Sequence, residues 1–66
     1  MDTVADFRKF LTDAGWAASE SHVEHSTGPE WTVIGVNGPH VVKARASTQL
    51  DAWMEAVEQA RAQGMD

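Results

Sequence analysis

The run Trp31-Thr32-Val33-Ile34-Gly35-Val36, rich in β-branched and aromatic residues, is followed by Asn37-Gly38-Pro39 and then, after His40, by Val41-Val42-Lys43-Ala44-Arg45-Ala46. Asn and Gly both tolerate positive φ, the geometry of a tight reversal whose twist matches paired strands, so this spacing predicts an antiparallel hairpin. Pro39 lacks an amide donor and is expected where the returning strand begins. Upstream, residues 21–27 mix Val23 and Thr27 with His22, Glu24 and His25, which predicts an edge strand with one wet face. Gly28-Pro29 then punctuates, giving three antiparallel strands. The faces depend on the turn. A two-residue turn groups Trp31 with Val33, Val42 and Ala44, opposite Thr32, Ile34, Val36, Val41 and Lys43. A three-residue turn with a bulge instead groups Ile34 and Val36 with Val42 and Ala44, and leaves Trp31 beside Val41, Lys43 and Arg45. One slipped residue exchanges the two faces.

The flanks change period. Val4, Phe7, Phe10, Leu11 and Ala14 recur at steps of three and four, the stripe of an amphipathic helix over about residues 3–14. Thr3 is placed to cap it with Asp6 three residues on, Asp2 and Asp6 suit its positive end, and Gly15 can terminate it. Leu50, Trp53, Met54, Val57 and Ala60 form a second stripe over about residues 48–63, opposed by Asp51, Glu55, Glu58 and Gln59. Ser47 or Thr48 supplies its cap, Arg61 suits its negative end, and Gly64 stands as terminator. The predicted fold is α+β, in the order α-β-β-β-α: a three-stranded antiparallel sheet with two helices packed on one face. Residues 1–66 form a single small domain, because 66 residues cannot build a second core.

A chain of this length hides only about 60% of the surface its unfolded form exposes, so it needs a dense core or a partner. The candidate core is Val4, Phe7, Phe10, Leu11, Trp16, Val23, Trp31, Val33, Ile34, Val36, Val41, Val42, Leu50, Trp53, Met54 and Val57. Cysteine is absent, which excludes disulfides, thiolate zinc sites and a thiol nucleophile. The apolar runs are too short to span a bilayer, and Met1-Asp2-Thr3-Val4-Ala5-Asp6 is acidic where a secretory signal would be basic. No membrane association and a cytoplasmic location are the expectation.

The order and length of the elements resemble the double-stranded-RNA-binding domain, an α-β-β-β-α fold. Two local features add to the likeness: Gly28-Pro29 between the first two strands, and Ser47 ahead of an Ala-bearing second helix. That family grips phosphates through lysines at the start of the second helix, where this chain has Ser47-Thr48-Gln49-Leu50-Asp51. The family's loop histidine is replaced by Glu30 and Trp31. Phosphate neutralisation supplies most nonspecific affinity, and the formal charge of −5 opposes it at long range. The resemblance therefore implies the fold without the RNA binding.

Candidate chemistry is sparse. On a strand, His22 and Glu24 share a face while His25 points away, too few convergent ligands for zinc, and His40 lies on another strand. Ser19, Ser21, Ser26 and Ser47 sit at element margins, where capping and turn formation are their usual roles. No nucleophile elbow, phosphate loop or dinucleotide fingerprint is present. Asp51, Glu55 and Glu58 read as a solvated helix face. Neither enzymatic activity nor a cofactor is expected. Lys43 and Arg45 share a strand face and, with Trp31 in the bulged register, compose a possible interaction surface. The reading is a small acidic interaction module that binds an unknown protein partner or a second copy of itself, through the uncovered sheet face or the first strand's open edge. The alternative is a divergent nucleic-acid-binding domain using Lys43 and Arg45.

Overall fold

The structure, a computed structural model, describes residues 3–63. Helix α1 spans Val4–Asp13, strands β1, β2 and β3 span Ala17–His25, Gly28–Asn37 and His40–Ala46, and helix α2 spans Gln49–Ala62. The sheet is antiparallel in the order β1-β2-β3. The topology is the α-β-β-β-α arrangement of the double-stranded-RNA-binding domain. Both helices lie on one side of the sheet: α2 packs mainly on β3 and β2, and α1 lies against α2 with lighter contact to β1.

Local chemistry sets the ends of both helices. Thr3 Oγ1 accepts from the Asp6 amide at 3.2 Å, and the Asp6 carboxylate accepts from the Thr3 amide at 3.3 Å, a reciprocal capping box. At the other end Gly15 takes φ +94°, and a Cβ there would come within 3.3 Å of Asn37 Nδ2. That Asn37 amide donates to the Ala14 carbonyl at 3.1 Å, tying the end of α1 to the turn between β2 and β3. Thr48, not Ser47, caps α2, accepting from the Asp51 amide. The expected roles of Asp2 and Gly64 fall outside the described residues.

The strands differ from expectation in three places. β1 begins at Ala17, four residues earlier than the composition suggests, because Ala17-Ala18-Ser19-Glu20 is held by pairing with residues 33–36 of β2. Gly28-Pro29 does not lie between strands: the reversal is Ser26-Thr27, and β2 starts at Gly28. Pro29 is tolerated in the central strand because β3 reaches only as far as Trp31, opposite Ala46, so no neighbour on that side needs its amide. The second hairpin turns at Gly38-Pro39, one residue later than Asn37-Gly38, with Gly38 at φ +61°. Moving a two-residue turn by one position shifts the register by two, which preserves the faces. Trp31, Val33, Val42 and Ala44 accordingly share the helix side, and the bulged alternative is excluded.

Phe7, Leu11, Trp16, Val33, Val42, Ala44, Ala52, Trp53, Ala56, Val57 and Ala60 are buried together. Leu50 and Met54, expected in this core, are exposed at 40% and 41%. α2 is rotated so that Ala52, Ala56 and Ala60 face inward, letting the helix approach closely, while Trp53 fills the remaining volume. Gly35 lies at the closest approach on the sheet: a Cβ would meet Val42 Cγ2 at 3.0 Å and Trp16 Cε3 at 3.3 Å.

Candidate interaction surface

Residues directly opposite one another across an antiparallel pair project to the same face. The pairing puts Ala17, Val36 and Val41 in one row of the side away from the helices, and Ser19, Ile34 and Lys43 in the next. Ser21, Thr32 and Arg45 form a third row, beyond which Val23 lies opposite Glu30. Val23, Ile34, Val36 and Val41, all expected in the core, are exposed on this bare side. Among the described residues, Leu50 and Met54 are the other large apolar side chains left exposed.

The three residues singled out from sequence do not converge. Lys43 and Arg45 stand on the bare face, while Trp31, half-buried, stands on the helix side and stacks on His22 with ring centroids 4.2 Å apart. The proposed grouping required the bulged register and falls with it. Neither Lys43 nor Arg45 makes an ion pair among the described residues. Arg45 borders an open notch of about 310 Å³ where the β1–β2 ribbon runs past the end of β3, together with His25, Thr27, Glu30 and Ser47.

The two edges of the sheet are treated differently. Along β3, Gln59 of α2 acts as a surrogate strand: the Lys43 amide donates to its Oε1 at 3.0 Å, and its Nε2 donates to the Lys43 carbonyl at 2.8 Å. Gln63 donates to the Val41 carbonyl at 3.2 Å and meets His40 Nδ1 at 3.0 Å through its side-chain oxygen. Because Lys43 and Val41 point outward, strand alternation turns the backbone groups of Ala18, Glu20, His22 and Glu24 to the far edge, along β1. That edge has no such cover, and every β1 residue except half-buried Ala18 is exposed.

Glu20 is a hub that sequence reading passed over. Its Oε1 accepts from Trp53 Nε1 at 2.8 Å, from Gln49 Nε2 at 2.9 Å and from Arg8 at 3.3 Å, joining β1 to both helices. Hydrogen bonds from Gln49 and then Trp53 hold its carboxyl below the ordinary glutamate value; desolvation opposes them, and the Arg8 charge adds a lesser lowering effect. Arg8 also lies over the Trp53 ring at 5.0 Å. Glu20 lies just outside the strand that the composition predicts, and only the start of β1 at Ala17 puts its side chain on the helix side. Gln59 and Gln63 were equally silent, since polar residues four apart on a helix ordinarily face water.

The histidines are dispersed. His22 pairs with Glu24 at 3.2 Å on the helix side, His25 with Glu30 at 3.4 Å on the bare side, and His40 with Gln63. Among the described residues no three His, Asp or Glu side chains are grouped to hold a metal ion, and no helix is long and apolar enough to cross a membrane. No family model, no curated protein and no solved structure matches the chain.

Proposed function

We propose that this domain is a small acidic, non-catalytic protein-interaction module that self-associates through the side of its sheet away from the helices. The observation that carries this reading is the cluster of Ile34, Val36 and Val41 in two adjacent rows of one uncovered face, with Val23 standing apart beyond the Ser21–Thr32–Arg45 row, in a chain with so little core to spare. Single exposed apolar residues are ordinary, but a contiguous set bordered by polar groups marks an association surface. Lys43 and Arg45 at its border supply cations that a second, net-acidic copy would attract.

Sedimentation velocity from micromolar to millimolar protein tests it. Wild type is expected to gain mass with concentration, and the double variant Val36→Lys, Val41→Lys to weaken that gain at least tenfold. A chain that stays monomeric throughout overturns the reading. The unpaired Lys43 and Arg45 also favour a nucleic-acid reading, but Asp51 lies in the first turn of α2, where a phosphate would approach. An RNA duplex titrated at low salt is expected not to bind, and saturable binding reversed by salt would favour the alternative.

A further inference from the structure

We infer that two copies join edge to edge through β1, antiparallel about a two-fold axis at Ser21, extending two three-stranded sheets into one of six. This rests on the reading that the chain self-associates and adds a second contact beside the bare face, since pairing along β1 leaves Val36 and Val41 uncovered. The first support is the asymmetry of the edges. Gln59 and Gln63 occupy the amide and carbonyl of Lys43 and the carbonyl of Val41 on the outer edge of β3, whereas Ala18, Glu20, His22 and Glu24 present theirs to open space along a nine-residue strand. An uncovered edge is a template for another strand, and a second copy brings an identical one.

The second support is the sequence of β1 itself. Only the outward-pointing even residues can exchange backbone bonds across the new pair, which restricts the registers. With the axis at Ser21 the whole strand overlaps: Glu20 faces His22 of the second copy, His22 faces its Glu20, and Ala18 faces its Glu24. Moving the axis to Glu20 sets the two Glu20 carboxylates opposite each other. Moving it to His22 sets Glu20 opposite Glu24 and His22 opposite itself. Like charges directly opposed across strands are destabilising and opposite ones stabilising. An axis at Val23 restores a His22–Glu24 match but pairs only the end of the strand. The longest overlap therefore coincides at Ser21 with a register that sets no two carboxylates opposite each other. In this register Glu20 meets His22 of the second copy and Glu24 meets its Ala18, so no carboxylate on the helix side is set opposite another.

A cysteine scan reads that register. In it Ser21 faces its own copy in a non-hydrogen-bonded pair, where Cα atoms are about 4.5 Å apart, within the span a disulfide bridges. The chain has no cysteine, so Ser21→Cys carries the only thiol. Mild oxidation is expected to convert most of Ser21→Cys to a covalent dimer reversed by reductant. Ser19→Cys and Val23→Cys, which face each other, are expected to link poorly alone and well when mixed. All three sites are exposed, and far-ultraviolet circular dichroism confirms that each variant folds. Equal cross-linking of all three single variants, or none, overturns the edge pairing. If Val36→Lys, Val41→Lys weakens self-association as proposed but the cysteine variants show no selective cross-linking, the edge inference fails while the association through the bare face stands.

Discussion

Replacing Trp53 by alanine is expected to destabilise the domain by about 3–5 kcal/mol, the usual cost of emptying the site of a buried tryptophan. Native domains are stable by roughly 5–15 kcal/mol, and one this small belongs near the bottom of that range, so Trp53→Ala should retain only about 0–2 kcal/mol and be measurably unfolded at room temperature. Trp53 is fully buried, is the largest of the fully buried side chains, and contacts groups from α1 and β1 through Arg8 and Glu20. Urea denaturation followed by circular dichroism measures the loss. Two milder substitutions separate bulk from hydrogen bonding. Trp53→Phe removes a donor bonded to Glu20, whereas the buried Nε1 of Trp16 has no hydrogen-bond partner. An unsatisfied buried donor already carries its desolvation cost, so Trp16→Phe should be the cheaper change by about 1 kcal/mol or more. Equal costs would show that the Trp53–Glu20 bond contributes nothing.

Glu20→Ala is expected to cost about 2–3 kcal/mol, because it leaves the Trp53 N–H without its acceptor and breaks a charge-assisted bond to Gln49. The Arg8 pair adds little, its guanidinium being more than half exposed. The pH dependence follows from the lowered native pKa of Glu20. Between the native and unfolded values the unfolded chain binds the proton more strongly, so stability rises with pH across that window. The contribution is complete above the unfolded glutamate value and is lost as pH falls through the lower native one. Glu20→Gln should therefore show a shallower loss of stability than wild type as pH falls below the ordinary glutamate range. Parallel wild-type and variant profiles in denaturant titrations would contradict the hub.

Much of the fold was legible because several local signals agreed. Thr3 and Asp6 formed the expected capping box, and Phe7 and Leu11 the expected buried stripe. The rotation of α2 was not legible, since Leu50 and Met54 are more apolar than Ala52 and Ala56 and yet lose to them on closeness of approach. Nor was the start of β1, because Ala17-Ala18-Ser19-Glu20 has little strand propensity and is pleated by its partner strand. The faces of the β2–β3 hairpin came out as a tight turn requires, although its position was displaced by one residue. The β2–β3 part of the bare face was thus legible as the set a two-residue turn produces, Thr32, Ile34, Val36, Val41 and Lys43, whereas the β1 part was not. Trp31 lies on the opposite side from Lys43 and Arg45, and β1 acquires its open edge only once Gln59 and Gln63 are seen covering β3.

Amide hydrogen exchange measured at low and high protein concentration tests the central claim most directly, namely that the sheet is closed along β3 and joins a second copy along β1. The amide of Lys43, held by Gln59, should be protected at every concentration. The amides of Ala18, Glu20, His22 and Glu24 should exchange freely when dilute and slow at least tenfold when concentrated. Exchange along β1 that is the same at both concentrations would contradict it.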